Sequence, residues 1–159
     1  MENKQIFRLV LIAILAALST VLGIFVRVPG PAGYFTLLDA GIITTSMILG
    51  NREGAAVGAI GAFLNDLLTG YPNYMFFSFV IHGLQGYTAN RTASKLFNYL
   101  ISGLIMVGGY FLTDWILYQN LGTPIADLFG NVVQHTAGFL IALIISQLLK
   151  KSGILHGLK

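Results

Sequence analysis

Cysteine is absent from this 159-residue chain, and charged residues make up only 9% of it. Without cysteine there is no disulfide, no thiol nucleophile and no Cys-ligated zinc or iron–sulfur site. A soluble domain carries about 25% charged residues, so this chain has too few to coat a surface that faces water. Hydrophobic residues account for 55% of the chain and the mean hydropathy is +0.77. The composition therefore indicates a membrane protein.

Several enzyme motifs are absent as well. The sequence has no G-x-S-x-G, no H-E-x-x-H and no G-x-x-x-x-G-K-[ST] phosphate-binding loop. His82 and His135 have no clear third ligand, which argues against a metal site. No run of Lys and Arg alternates with aromatic residues as a nucleic-acid surface would require. We therefore expect no enzyme, no metal, no ATP site in this chain and no nucleic-acid partner.

Eight of the nine Lys and Arg residues lie on one side of a predicted six-helix arrangement. Eight fall where the positive-inside rule places cytoplasm: Lys4, Arg8, Arg52, Arg91, Lys95, Lys150, Lys151 and Lys159. Arg27 falls on the outer side, either as a stray interfacial charge or as a gate residue. The pattern predicts an all-α membrane protein, with one integral membrane domain over residues 1–159. The domain is a bundle of six transmembrane helices with cytoplasmic N and C termini.

The predicted spans cover roughly residues 5–26, 36–50, 54–70, 74–90, 96–118 and 126–149. The second to fourth are shorter than the ~20 residues of a lone span, so we expect them either to pack within the bundle or to be extended by their polar flanks. Residues 27–35 hold two prolines and two glycines that stop any helix, and this outer loop is a candidate lid. No half of the chain repeats the other, which counts against a transporter that alternates access by itself.

Polar residues inside the predicted spans gather in the outer half of the bundle. They are Asp39, Asn65, Asp66, Ser78, His82, Asp114, Asn131, Gln134 and His135. An ionisable group at the centre of a lone span costs ~3 kcal/mol, so such groups usually face the protein interior or a wet cavity. The set therefore predicts a cavity that opens outward. Asn65 and Asp66 precede a Thr-Gly turn, and they either cap its backbone or contact a ligand.

Helical spacing narrows the predicted lining to three stripes. These are Ser78, His82 and Gln85 on the fourth helix, Tyr110 and Asp114 on the fifth, and Asn131 and His135 on the sixth. Each stripe consists of residues at i, i+4 or i+7, which share one helix face. With aromatic residues such as Tyr34 and Tyr74, the stripes predict a small-molecule site that binds a flat ring.

Small residues at a spacing of four occur on two helices. Ala13 and Ala17 form such a pair on the first helix, and Gly54, Gly58 and Ala62 form a row on the third. Small residues at this spacing let helix backbones approach closely in a membrane. Each pattern indicates either packing within the chain or docking against another subunit.

Three patterns together resemble the substrate-binding S components of energy-coupling factor (ECF) vitamin transporters. They are Ala13-xxx-Ala17, Gly54-xxx-Gly58-xx-Gly61-xxx-Asn65-Asp66 and His82-Gly-Leu-Gln-Gly86, on six short spans that cover essentially the whole chain. The resemblance implies a vitamin-capture subunit of a prokaryotic plasma membrane, with no cofactor in this chain. It also implies a transmembrane coupling (T) subunit that contacts Ala13 and Ala17, and two ATPase subunits that use ATP.

Among S components, the chain looks most like the members assigned to hydroxymethylpyrimidine or pyridoxine. The implied substrate-binding residues are Tyr34, Tyr74, Ser78, His82, Gln85, Tyr110, Asp114, Asn131 and His135. An S component for another vitamin, such as pantothenate or thiamine, is an alternative. A six-helix membrane scaffold without transport would need no cavity, so the outer polar cluster argues against it. An intramembrane enzyme is disfavoured by the missing motifs.

Overall fold

The computed structural model describes residues 2–31 and 33–152. Its elements in chain order are α1 (Glu2–Phe25), β1 (Arg27–Pro29), β2 (Tyr34–Thr36), α2 (Leu38–Ile48), α3 (Asn51–Thr69), α4 (Met75–Thr88), α5 (Lys95–Tyr118) and α6 (Gly122–Lys151). The described residues therefore form six helices, as predicted, each close to its predicted bounds. Lys159 and the side chain of Lys4, which were counted on the inner side, lie outside what the structure describes.

The connection between α1 and α2, predicted as a loop, contains two short strands within the otherwise helical fold. Its two short strands pair in an antiparallel ladder, in which Arg27 lies opposite Thr36, Val28 opposite Phe35 and Pro29 opposite Tyr34. The prolines and glycines do stop the helix, but they still allow extended backbone, which can pair across a tight turn. The predicted loop is therefore a hairpin.

Length and burial divide the helices into two kinds. Residues 5–25, 95–118 and 122–151 form helices that are long and apolar enough to cross a membrane. The side chains of α1 are largely exposed, which suits contact with lipid because they include Phe7, Val10 and Ile14. α2, by contrast, has only 11 residues, and almost all of them are buried. The expectation that this short segment packs within the bundle is confirmed.

The glycines of α3 lie directly against α4. A Cβ atom on Gly54 would come within 2.8 Å of the carbonyl oxygen of Gly86, and one on Gly58 would overlap the carbonyl of His82. Both are closer than real side-chain contacts allow, so only glycine permits this separation of the two backbones. The small-residue row on α3 is therefore used for packing within the chain.

The small residues of α1 are arranged differently. Ala16 is buried in a core cluster with Leu38 and Val57, but Ala13 and Ala17 are exposed. Packing among the described residues thus leaves the predicted pair on α1 exposed. It leaves a surface on which another helix backbone has room to approach.

Basic residues mark one end of the bundle. Arg8 near the start of α1 forms an ion pair with the buried Glu53 at the start of α3. Because successive helices run up and down, the α2–α3 turn, the α4–α5 connection and the end of α6 lie at this end too. The hairpin lies at the opposite end. The orientation of these two ends in the membrane stays a prediction.

We expect Gly58→Ala to destabilise the protein and Gly108→Ala to leave it unchanged or more stable. The first adds a methyl group against the His82 carbonyl, whereas nothing lies within 4 Å of a Cβ at Gly108. Overpacking typically costs about 1–3 kcal/mol, while replacing an unhindered helical glycine by alanine gains up to ~1 kcal/mol. Thermal unfolding of the two purified variants in detergent measures the difference. Equal stability would contradict a close α3–α4 contact.

Candidate functional site

A fully buried carboxylate lies at the hairpin end of the bundle. Asp39, in the first turn of α2, accepts hydrogen bonds from the amide of Gln85 on α4 at 2.7 Å and from that of Gln134 on α6 at 3.0 Å. The Nδ1 atoms of His82 and His135 lie 3.7 and 3.9 Å from its oxygens. A buried charge is tolerated only when it is paired or hydrogen-bonded. Asp39 therefore joins α2, α4 and α6 at one point.

The chemistry of Asp39 fixes the direction of the neighbouring hydrogen bonds. A carboxylate only accepts, so Gln85 turns its amide nitrogen toward Asp39 and its oxygen toward His82. The Nδ1 of His82, 2.7 Å from that oxygen, must then carry a hydrogen. The amide nitrogen of Gln85 also lies 3.1 Å from Nδ1 of His135, whose Nε2 donates to the Tyr99 carbonyl at 3.0 Å. Nδ1 of both imidazoles and Nε2 of His135 thus each have a hydrogen-bond partner.

The same network reaches the hairpin. The side-chain oxygen of Gln134 accepts the backbone N–H of Thr36 at 2.6 Å, while its nitrogen donates to Asp39. One glutamine therefore fixes the end of β2 relative to α2 and α6. The position of the hairpin is set by the buried carboxylate.

A cavity of about 70 Å³ adjoins this network, between the hairpin and α3 to α6. Its lining residues are Gly33, Tyr34, Phe35, Thr36, Leu38, Asn65, Asp66, Tyr71, Tyr74, His82, Tyr110, Asp114, Asp127, Asn131 and Gln134. Holding one water takes about 10–15 Å³ by the same measure, so the cavity has room for a small molecule. Aromatic rings with a few placed polar groups are the usual lining of such a site.

Four tyrosines line the cavity in a row. The ring centroids of Tyr34 and Tyr71 are 4.6 Å apart, those of Tyr71 and Tyr74 6.3 Å, and those of Tyr74 and Tyr110 6.4 Å. The guanidinium of Arg27 lies 4.6 Å from the centroid of the Tyr34 ring, in a cation–π contact. Arg27 therefore lies beside a cavity-lining tyrosine, and both interpretations of it stay predictions.

Six of the nine predicted substrate-binding residues line the cavity: Tyr34, Tyr74, His82, Tyr110, Asp114 and Asn131. Ser78, Gln85 and His135 lie behind the lining instead. The hydroxyl of Ser78 is 2.7 Å from that of Tyr110, and the other two belong to the Asp39 network. Each of these three residues shares a helix face with a lining residue, so all three point toward the site. The spacing along the helix does not predict whether a residue lines the cavity or lies behind the lining. Ligand contact by any of the nine stays a prediction.

Some lining residues were not singled out from the sequence. Asp127 precedes Asn131 by one helical turn on α6, so extending that stripe by i−4 would have found it. Thr36 and Tyr71 lie in or beside connections, where no periodic pattern points to a cavity. Asp39 and Gln134 are 95 positions apart, and nothing local indicates their hydrogen bond.

The charges of the lining are of one sign. The three carboxylates Asp66, Asp114 and Asp127 face the cavity, and none of its described lining residues is Lys or Arg. The phenol of Tyr74 donates to Asp114 at 2.6 Å, which leaves this acid hydrogen-bonded. Within the described ranges, no group of three His, Cys, Asp or Glu side chains is arranged to hold a metal ion.

An apolar helical exterior with a small polar cavity at one end defines a membrane-embedded binding protein for a small solute. A family model for the S component of the ECF-type riboflavin transporter matches residues 3–151. The chain belongs to this family of ECF transporter S components. The resemblance found in the sequence is confirmed, and a transporter subunit replaces the scaffold and enzyme alternatives.

Two individual proteins and one solved structure are similar to the chain. The chain is 48% identical over 162 residues to the thiamine precursor transporter HmpT of Lactococcus lactis subsp. cremoris (strain MG1363), with 100% of this chain and 97% of that protein covered. It is 30% identical over 141 residues to an uncharacterized Pyrococcus woesei protein from the gap 3′ region, with 83% and 94% covered. A solved S component of a bacterial ECF transporter superposes with a TM-score of 0.76 at 20% identity, with 92% and 97% covered. At that identity the likeness shows the fold.

We expect Asp39→Asn to lower the free energy of unfolding by about 2–4 kcal/mol. The substitution keeps the shape, and the amide oxygen still accepts from one glutamine. The amide nitrogen, however, faces the donor of the other glutamine, which leaves two buried donor groups unsatisfied at about 1–2 kcal/mol each. Asp114→Asn is the matched control, because its side-chain oxygen still accepts from Tyr74. Thermal or denaturant unfolding in detergent compares the two variants. An Asp39→Asn protein as stable as Asp114→Asn would show that the buried carboxylate does not hold the helices.

Proposed function

We propose that this S component captures a single heteroaromatic ring of the hydroxymethylpyrimidine type from outside the cell. The observation that carries the proposal is the small, tyrosine-lined cavity beside the hairpin. A relative that shares 48% identity along the whole chain transports a thiamine precursor, and hydroxymethylpyrimidine is the pyrimidine half of thiamine. Stacking on the tyrosine rings suits a flat ring of this size.

Cavity size favours this ligand over riboflavin, which the family model names. About 70 Å³ corresponds to roughly five waters at 10–15 Å³ each. Riboflavin has three fused rings and a ribityl chain, which would have to displace both the hairpin and the Asp39 network. A single substituted ring fits between them. Pyridoxine is also a single ring, and it remains the second candidate for that reason.

The charges of the lining residues further limit which ligands the cavity can bind. Three carboxylates face the cavity with no Lys or Arg among its described lining residues. An anionic ligand would leave like charges unpaired in a partly desolvated site, at considerable cost. The lining therefore disfavours phosphorylated vitamers and the carboxylate of pantothenate.

The direction of transport follows from the two ends of the bundle. The positive-inside rule assigns the end with Arg8, Arg52, Arg91 and Lys95 to the cytoplasm of a prokaryotic plasma membrane, and both termini with it. The cavity and hairpin then face outward. Since this chain lacks a phosphate-binding loop, we assign ATP hydrolysis to two ATPase subunits and docking to a transmembrane coupling (T) subunit.

The exposed pair on α1 is the proposed docking surface for the coupling subunit. Ala13 and Ala17 are exposed although α1 as a whole packs on α2 and α3. Small residues bring helix backbones close enough for van der Waals contact, which is what drives association in lipid. The pair lies near the middle of α1, and no described residue of α1 lines the cavity, so docking need not obstruct ligand entry.

Isothermal titration of the purified chain tests the ligand. We expect saturable binding of 4-amino-5-hydroxymethyl-2-methylpyrimidine, weaker binding of pyridoxine, and no heat from riboflavin or pantothenate, because only the single uncharged rings suit the cavity. Riboflavin binding without pyrimidine binding would overturn the proposal.

Bulky substitutions on α1 test the docking surface. We expect Ala13→Trp and Ala17→Trp to retain ligand binding but to lose at least tenfold in uptake when the full transporter is reconstituted, because tryptophan prevents close helix approach. Leu140→Trp on the exposed side of α6 is the control, with uptake near that of the unmodified chain. Normal uptake by both α1 variants would exclude this surface.

A further inference from the structure

One carboxylate oxygen in the cavity wall has no hydrogen-bond donor. The Oδ2 atom of Asp66 is buried and makes no hydrogen bond among the described residues, although Asp66 lines the cavity. The Asp66 side chain is otherwise hydrogen-bonded by Ser78 and Asn65, and His82 lies nearby. Leaving a buried carboxylate oxygen unpaired is costly, since the group has lost water without gaining a donor. A donor on a bound ligand would remove that cost.

His82 presents a second acceptor next to Asp66. Its Nδ1–H is used by Gln85 at 2.7 Å, so the neutral imidazole carries no hydrogen on Nε2. Because Nδ1 is turned into the Asp39 network, the opposite ring edge, with Nε2, is the part left to line the cavity. Asp66 on α3 and His82 on α4 lie near each other, and both line the cavity. The cavity wall therefore offers two neighbouring acceptors.

The other acid that we examined for this role has a partner within the chain. Asp114 accepts from Tyr74 at 2.6 Å, so it does not require a donor from the ligand. The unsatisfied acceptor capacity is concentrated on the α3–α4 side of the cavity. A ligand ring that carries hydrogen-bond donors on one edge only would therefore bind with that edge toward α3 and α4.

We propose that Asp66 and His82 together accept the two hydrogens of an amino group on the ligand ring, and so select aminopyrimidines over rings that bear only hydroxyl groups. An amino group conjugated to a pyrimidine donates two hydrogens, and its delocalised lone pair accepts none. It therefore matches a pair of acceptors, whereas a hydroxyl donates one hydrogen and adds lone pairs that need donors. Asp66 is thus a specificity residue, which resolves its two sequence interpretations in favour of ligand contact. The proposal rests on the single-ring function above.

Titration of two ligands against two variants tests the proposal. The ligands are 4-amino-5-hydroxymethyl-2-methylpyrimidine and the same ring with hydrogen in place of the amino group. We expect the unmodified chain to bind the amino ligand at least tenfold more tightly. Asp66→Asn should weaken the amino ligand by roughly 10- to 100-fold, the range for loss of a hydrogen bond to a charged group. The same variant should change the affinity of the deamino ring by less than about threefold.

Asp114→Asn is the matched control, since it removes the same charge from the same cavity and keeps the Tyr74 hydrogen bond. We expect it to affect both ligands alike. If it reduced the preference for the amino ligand as much as Asp66→Asn does, the preference would come from total charge and the assignment would be wrong. Equal loss of both ligands in Asp66→Asn, at unchanged thermal stability, would also overturn it.

The outcomes separate this inference from the proposed function. If the unmodified chain binds both pyrimidines equally well, the single-ring function holds and the role of Asp66 and His82 is refuted. If neither pyrimidine binds, the proposed function fails, and this inference fails with it.

Discussion

The carboxylate of Asp39 is the constraint on which the site depends. It has no exposure to solvent, so every hydrogen bond it needs must come from the protein, and its donors come from α4 and α6. Gln134 extends the same arrangement to the end of β2. A single buried charge thereby fixes the floor of the cavity, the position of the hairpin and the tautomer of His82. In a low-dielectric interior such a network is rigid when it is complete.

The membrane explains why this network lies at one end of the bundle. Lipid offers no hydrogen bonds, so polar groups must be satisfied by the protein or by a wet cavity. α2 meets that condition by being short and almost wholly buried, which allows it to carry Asp39 within the bundle. The glycines of α3 allow α4 to approach closely, and each of these two helices contributes a residue, Asp66 and His82, to the cavity wall.

Helix periodicity accounts for most of the successful predictions. The stripes that contain His82, Tyr110, Asp114 and Asn131 were correctly directed toward the cavity, because residues at i and i+4 share a face. Depth along the helix is a different quantity, and it depends on how neighbouring helices are staggered. Gln85 and His135 therefore lie in the network behind the lining. The hairpin of residues 27–36 could not be distinguished from a loop, since proline and glycine exclude helix without specifying strand pairing.

The sequence by itself determined the class of protein, the number of helices, the end that carries the basic residues and the family resemblance. These depend on composition, on local periodicity and on short motifs, all of which can be read from a single sequence. The tertiary structure alone decided which polar residues bond one another and which line the cavity. Asp39 and Gln134 meet across 95 positions, and the free oxygen of Asp66 is defined by what its neighbours on other helices leave unsatisfied. Such properties arise only when separate helices pack, because no local pattern encodes the stagger between them.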